Sequence, residues 1–315
     1  MKRLVVGGAA VAAAAAMVAL PTAGASQLTQ SILMLAYLNA ALTIAVTLSF
    51  GFTGMYNFSQ ATFAGAGAYA TAILTSEHGV SFLAALAVSA VVAGGLGVLL
   101  GLASMRVRTD YFAFVSIGFT VVFVQLVANT PELTGGANGY FGIPAPSVFG
   151  LELGTPTRAY YLCLVCLAVV VMASQLVVRT YFGRAMRAVA EDEPSAQAQG
   201  ISVGFTKAVA MGIGSALAGL CGSTLAVTFL FIQPADFDLL PSFNFTLWAI
   251  VGGSTSIVGA GTAALGITFL QEHFRDLYEY RLAIVSSIVL LAIYVRGGVI
   301  SPRRIMHRIR SEKRR

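Results

Sequence analysis

The sequence predicts an all-α, polytopic membrane protein of about ten transmembrane helices. Three observations carry this expectation. Of the 315 residues, 57% are hydrophobic and 10% charged, against roughly 45–50% and 25% in a soluble domain. Apolar stretches of about 20 residues, the length needed to cross a bilayer, recur from end to end. Basic residues, finally, gather on one side of the alternating spans. No soluble domain fits between the stretches, so residues 1–315 are expected to form a single transmembrane domain.

The spans are expected near residues 4–22, 28–50, 60–76, 81–104, 111–129, 159–178, 207–230, 243–258, 259–274 and 281–296. With the N-terminus inside, Lys2, Arg3, Arg106, Arg108, Arg179, Arg184, Arg187, Lys207, Arg296 and the seven bases from Arg303 to Arg315 face the cytoplasm. Only Arg158, Arg275 and Arg281 of the nineteen bases are left outside. That asymmetry sets orientation under the positive-inside rule, and both termini are expected to be cytoplasmic, the C-terminal one as the basic tail 297–315. Residues 1–25 read as a first span, yet Lys2-Arg3, an apolar run and Ala23-Gly24-Ala25 also describe a cleavable secretory signal.

Within the seventh span, Gly214, Ala218 and Gly222 recur every four residues beside a second stripe of Ser215, Gly219 and Ser223. Small residues at that spacing let helix backbones approach closely in lipid. The three cysteines, Cys163, Cys166 and Cys221, lie in apolar runs with no histidine near the Cys163–Cys166 pair. They are expected to pack between helices rather than hold a metal.

Several function classes are disfavoured. All thirteen acids and all three histidines lie in loops or near span ends, so no buried titratable group offers itself for ion coupling. Sodium held by backbone carbonyls and hydroxyls stays compatible with the sequence. No G-x-x-x-x-G-K-[ST] phosphate loop, zinc pair or nucleophile elbow is present. The chain is expected to be no enzyme and to bind no cofactor of its own.

Three segments carry specific information. Gly51–Tyr69 combines four glycines, Gly51, Gly54, Gly65 and Gly67, with Thr53, Asn57, Ser59 and Gln60, poor material for a lipid-facing helix. It reads as a broken or re-entrant element beside a translocation path, or as a turn followed by a glycine-packed helix, and residue types leave both open. Leu133–Pro144 lies in an outer loop of about 29 residues, long enough to suggest a task. Its Gly135, Gly136 and Gly139 permit unusual backbone angles, so the loop is a gate, a docking surface or a structural turn. Thr134 and Asn138 join Thr53, Asn57, Ser59 and Gln60 as the expected substrate path. Arg179–Lys207 is the longest internal cytoplasmic segment. It reads as an amphipathic helix over Gly183–Ala190, with Met186 and Val189 on one face. Glu191-Asp192-Glu193 before Pro194 starts a second short helix, whose apolar face is Ala196, Ala198 and Ile201. Such a helical elbow suits a cytoplasmic partner.

Taken together, these segments resemble the membrane subunits of ATP-binding-cassette importers for branched-chain amino acids, the LivM-type permeases. The resemblance lies in Gly51, Gly54 and Gly67-Ala68-Tyr69; in Leu133–Gly139 with Gly142-Ile143-Pro144; in Gly183–Ala188 with Glu191–Glu193 and Gly200-Ile201; and in the glycine-rich stretch from Trp248, with Arg296-Gly297-Gly298 near the end. Pro194-Ser195 and Asn57-Phe58-Ser59-Gln60 depart from the usual pattern. The resemblance implies the importer permease fold, a possible five-plus-five inverted repeat and a bacterial inner-membrane location. It implies a second related permease subunit, two cytoplasmic ATPase subunits that bind ATP and Mg, and an extracytoplasmic substrate-binding protein. It places Arg184, Arg187, Glu191, Asp192, Glu193 and Gly200 in or near the element that couples to an ATPase. The expected cargo is a branched-chain or other hydrophobic amino acid, with urea, short amides or aromatic acids as alternatives and an ion-coupled secondary transporter as the rival from another class.

Overall fold

The computed structural model describes residues 26–105, 109–148, 151–152 and 154–273. The expected spans 4–22 and 281–296, the possible signal 1–25, the tail 297–315, and Arg106, Arg108, Arg275, Arg281 and Arg296 lie outside the described residues. What is described is almost wholly helical: α1 (Gln27–Ser49), α2 (Gln60–Ser76), α3 (Phe82–Ala103), α4 (Thr109–Ala128), the short α5 (Pro131–Thr134), α6 (Pro156–Arg179), α7 (Tyr181–Glu191), α8 (Glu193–Ala198), α9 (Val203–Phe229), α10 (Leu239–Gly252) and α11 (Ile257–His273). Two-residue strands β1 (Tyr140–Phe141) and β4 (Phe231–Ile232) pair antiparallel, as do β2 (Ser147–Val148) and β3 (Leu151–Glu152). The β1–β4 pair marks one end of the bundle, the loop end; α7 and α8 mark the other, the elbow end.

Among the described residues, five helices are long and apolar enough to cross a membrane: α1, α3, α4 from Tyr111, α6 and α9. Their outward faces carry large apolar side chains such as Val91, Leu99, Phe114, Val122, Met172 and Leu176, as a lipid solvent requires. Helix α2 differs. At 17 residues it is about 26 Å long at 1.5 Å per residue, and all of its first ten residues are buried. The expected boundary between spans 243–258 and 259–274 also moves. The chain breaks earlier, over 253–256, where α10 and α11 turn through 120°. Gly252 and Gly259 set the turn, because a Cβ on either would come within 2.2 Å of the other's carbonyl oxygen.

Helix α9 is the central post, and its small-residue stripes explain why. A Cβ on Gly222 would sit 1.8 Å from the Ala64 carbonyl oxygen, and one on Gly214 would sit 2.9 Å from that of Ala45. The first stripe thus meets α1 and α2 backbone to backbone. The second turns to α3: a Cβ on Gly219 would lie 2.6 Å from that of Ala93, and one on Gly97 would lie 2.2 Å from Ser215 Oγ. Between these contacts, the Thr71, Ser89 and Ser223 hydroxyls link α2, α3 and α9 at 2.6 Å. Helix α6 is fastened by a different device, the Tyr37 and Tyr160 hydroxyls at 2.6 Å with their rings edge to face. Cys163 packs at the α6–α9 seam, 3.5 Å from the Thr228 hydroxyl.

Candidate functional site: a polar knot beside a cavity

Between α1 and α2 the chain turns at the elbow end and then runs without regular structure to Ser59. This break was open to two readings from residue types. The structure gives it a turn followed by a glycine-packed helix, with Thr53, Asn57, Ser59 and Gln60 all buried. Buried amides and hydroxyls must find partners, and here they find them in four helices. Thr53 Oγ1 donates to the Ser49 carbonyl of α1. Asn57 Nδ2 reaches Ser49 Oγ and Gln60 Oε1, each at 3.3 Å, while its Oδ1 accepts from the Ser59 amide at 2.9 Å. Ser59 Oγ donates to the Ser116 carbonyl of α4 at 2.8 Å, and the Phe58 amide donates to Ser116 Oγ at 3.1 Å. Gln60 Nε2 donates to the Gly214 carbonyl of α9 at 3.4 Å. From α10, Thr246 Oγ1 donates to the Asn57 carbonyl at 3.2 Å, and Ser242 Oγ accepts from the Ala61 amide at 3.0 Å.

These bonds satisfy a buried non-helical stretch entirely with protein partners, as a buried backbone requires. Ser116, Thr120, whose Oγ1 donates to the Phe58 carbonyl at 3.2 Å, Ser242 and Thr246 were not singled out in the sequence. Their signal was there: pairs of hydroxyls four residues apart, on one face of otherwise apolar helices. An Asn57→Leu substitution is expected to leave several buried groups unpaired, at about 1–3 kcal/mol each. The purified protein should unfold at a temperature several degrees lower; an unchanged midpoint would show that the knot bears little of the fold's stability.

Against the knot lies a cavity of about 600 Å³, running from the 231–237 turn at the loop end to Ala61 and Ala64 of α2. Leu42, Phe245 and Trp248 line its apolar part; Asn39, Asn244, Thr268, Gln271, Asp236 and Glu272 supply polar groups. Ala61 belongs to both, its side chain at the cavity and its amide in the knot. The structure therefore places Thr53, Asn57, Ser59 and Gln60 behind the cavity wall rather than on it.

Thr134 and Asn138 stand apart from both. Thr134 is buried and caps the end of α4, donating to the Val127 and Thr130 carbonyls at 2.6 and 2.7 Å. Asn138 is exposed in the loop. The glycines around them adopt the left-handed angles expected, with φ of 75° at Gly135, 67° at Gly136 and 86° at Gly139. The loop is tied down by the β1–β4 pair and by Tyr140, whose hydroxyl donates to Glu77 at 3.4 Å. Partial burial, followed by the Glu77 carboxylate, pushes the Tyr140 phenol above its ordinary range.

At the elbow end, the two short helices expected between 179 and 207 are α7 and α8. Asp192 caps α8, accepting from the Ser195 amide at 3.1 Å, and Pro194 fits the first turn, where no amide is needed. Gly200, at φ 80°, turns the chain toward α9. Val189, Ala196 and Val203 form a small core of their own with Ile201 against it. Ala198, expected on that face, is exposed. Met186 of α7 is buried in the main core of the bundle, and polar contacts add to this attachment. Lys207, 3% exposed at the start of the second turn of α9, pairs with Glu193 at 2.8 Å. Arg187 stacks over the Phe52 ring at 5.6 Å and donates to the Val178 carbonyl at 3.1 Å. Beside it, Gly54 lies so near α7 that a Cβ there would be 3.6 Å from Ala190 Cα. Arg184 covers Tyr181 at 5.5 Å, and Glu191 is exposed at the end of α7.

The elbow thus rests on the same break whose far side carries the knot. Against that geometry, the sequence model of the family described as "Branched-chain amino acid transport system / permease component" matches residues 28–295. The chain belongs to this family. It is 30% identical over 275 residues to the high-affinity branched-chain amino acid transport system permease protein LivM of Salmonella typhimurium, and likewise to LivM of Escherichia coli K12, covering 80% of this chain. It spans 65% of the length of those LivM relatives. Similarity extends to the probable branched-chain amino acid transport permease protein LivH of Methanocaldococcus jannaschii, 27% identical over 83% of this chain and 86% of that one. The ribose import permease protein RbsC of Escherichia coli K12 is 25% identical over 84% of both chains. No solved structure matches the chain. Membership of this family and the five described helices long and apolar enough to cross a bilayer make the chain a multi-pass membrane protein.

Proposed function

We propose that this chain is the permease subunit of an ATP-binding-cassette importer that carries branched-chain or other hydrophobic amino acids inward by alternating access. The observation that carries the reading is the elbow. Two short helices with their own small core are fixed to α9 through Lys207–Glu193 and bear on the α1–α2 break through Arg187, Phe52 and Gly54. A push on Arg184, Arg187, Glu191, Asp192, Glu193 and Gly200 from a cytoplasmic ATPase would reach the break directly. It would pass from there through the knot to the cavity wall at Ala61. Rearranging the bonds of Thr53, Asn57, Ser59 and Gln60 would bring their amides and hydroxyls onto the path, with Thr134 and Asn138 holding the outer loop above it.

In this reading the elbow end is cytoplasmic and the loop end faces the binding protein. The 315 residues form a single domain of ten spans in the bacterial inner membrane, with both termini inside and a five-plus-five inverted repeat. ATP and Mg are bound by two partner ATPases, and a second related permease completes the path. Support for the cargo comes from the LivM and LivH relatives; the ribose relative shows that this architecture serves other small solutes, and urea, short amides or aromatic acids are the competing cargoes. The test is leucine uptake in vesicles holding this chain, the second permease, both ATPases and the binding protein. Uptake should require ATP and every subunit. Uptake that persists with this chain alone, driven by an ion gradient, would establish a secondary transporter instead.

A further inference from the structure

The outer loop 133–144 is held in two unequal ways. At its base, the buried Thr134 donates to the Val127 and Thr130 carbonyls, and its Oγ1 accepts from the Gly136 amide at 3.3 Å. At its tip the hold is slight: two residues of β1 pair with two of β4, and the Tyr140 hydroxyl reaches the exposed Glu77 at 3.4 Å. A ribbon this short has little stability of its own. Between base and tip stand Gly135, Gly136 and Gly139, all at left-handed angles. The arm is thus built on residues that change backbone angle without a Cβ to clash.

What the tip holds is a wall of the cavity. Phe231 lines the cavity and also stacks on Phe141, with ring centroids 4.4 Å apart. A Cβ on Gly139 would lie 2.5 Å from the Ile232 carbonyl oxygen and 2.8 Å from the Phe231 ring, so the loop is seated on β4 without a gap. A second observation, independent of the loop, concerns the residue before β4. Leu230, at the end of α9, has φ 57° and is the one non-glycine residue with a left-handed angle among the described residues. A residue with a Cβ adopts that region rarely, and keeps it where its surroundings over-determine it. Here the surroundings are the Ala226 carbonyl, which accepts from the Leu230 amide at 2.9 Å, and the β1–β4 pairing that fixes the next two residues.

We infer that the β1–β4 ribbon is an outer latch on the cavity, one that parts and re-forms in each transport cycle. Paired, the loop holds Phe231 in the wall. Parted, it leaves the strained Leu230 with one constraint fewer, so that β4 swings about this residue and the loop-end mouth widens. Thr134 keeps the arm on α4 throughout. Of the gate, docking surface and structural turn that the sequence left open, the latch is the gate. The inference rests on the proposed permease function and adds to it the step at the outer face.

The test is to weld the latch. In vesicles holding the complete transporter, Phe141→Cys and Phe231→Cys are introduced together. These positions are register partners, and the Cα separation of such pairs, roughly 4.5–5.5 Å, is one that a disulfide spans. Copper phenanthroline in air should join them, two thiols giving one disulfide while dioxygen takes up the two electrons and two protons. Leucine uptake by the oxidised double variant is expected to fall about ten-fold or more against the same vesicles reduced with dithiothreitol, as for a lid that cannot open. Each single cysteine variant, oxidised and reduced alike, should show no such ratio. A fully cross-linked transporter that keeps its uptake would make the loop a structural turn, and a pair that does not cross-link would contradict the ribbon itself; either overturns the latch. Where the cysteine pair impairs uptake even when reduced, spin labels decide. With Cys163, Cys166 and Cys221 replaced by alanine, labels go on Ala137 and Leu240, both exposed and neither lining the cavity. Their separation should shift by several ångströms between the nucleotide-free and vanadate-trapped transporter, and a fixed separation overturns the latch. Uptake by the parent reports the permease function separately. ATP-driven uptake that ignores the cross-link removes the latch and leaves the importer; uptake that the cross-link blocks but ATP does not drive does the reverse.

Discussion

Gly222→Val is expected to leave almost no folded permease, whereas Gly95→Ala on a neighbouring helix should leave the yield unchanged. The contrast comes from what surrounds each glycine. At Gly222 even a Cβ falls 1.8 Å from the Ala64 carbonyl oxygen and 2.5 Å from its carbon. The obstacle is main chain, which cannot rotate aside, so α2 and α9 would have to separate. Separation would break the Thr71–Ser223 contact and draw Gln60 away from the Gly214 carbonyl. At Gly95 a Cβ meets nothing within 4 Å, and alanine is the better helix former by about 1 kcal/mol. Size-exclusion profiles of fluorescently tagged variants in mild detergent would decide the matter. A monodisperse Gly222→Val peak at parental height would mean that the α2–α9 crossing is looser than its geometry states.

That crossing was legible in the sequence because small residues every four positions have one physical use in lipid. The helices α1, α3, α4, α6 and α9 were legible for a similar reason: about twenty apolar residues without charge admit few conformations in a membrane. Boundaries were harder wherever hydropathy was not the deciding force. The turn at 253–256 coincides with the Gly252-Gly253-Ser254-Thr255-Ser256 break, but span length pulled the expected boundary past it, and its sharpness depends on two glycine backbones touching. The knot was half visible. Asn57 and Gln60 were conspicuous as amides in an apolar region, but Ser116, Thr120, Ser242 and Thr246 look like ordinary hydroxyls, which helices absorb by bonding their own carbonyls. Only the packing of four other helices around residues 57–61 distinguishes them. The cavity could not be read at all, since its wall gathers side chains from α1, α2, α9, α10 and α11. Thr134, whose motif suggested a path, bonds the Val127 carbonyl at the end of α4, a contact that the motif does not reveal.

The second large effect is expected at the elbow. Glu193→Ala takes the carboxylate away from a lysine that is 3% exposed. Breaking a buried pair by deleting one partner costs about 3–5 kcal/mol, and the 37% exposure of the Glu193 side chain places this case at or below the lower end of that range. Because the elbow has only a small core of its own, the loss should fall locally. Faster proteolysis between residues 181 and 202 is expected, with ATP hydrolysis continuing while uptake per ATP falls several-fold. Lys207→Met in the same chain should restore much of the protease resistance, since removing both charges is far less costly than removing one. Uptake would recover only in proportion to elbow rigidity. A double variant as protease-sensitive as Glu193→Ala would show that the lysine acts through groups other than Glu193.

The 120° turn between α10 and α11 also bears on how the protein is made. Helix α10 has 14 residues, about 21 Å of helix, short of the roughly 30 Å hydrocarbon core. Alone, α10 is therefore poorly matched to the bilayer until α11 has been made. The two are expected to enter together as a hairpin, once α11 has emerged and Gly252 can meet Gly259. In the ten-span reading this hairpin supplies two crossings, and the chain leaves it on the side it entered whether or not it inserts. The number of membrane crossings and the side on which the chain emerges are thereby uncoupled, and a lesion at Gly252 or Gly259 becomes an error of biogenesis before it is one of stability.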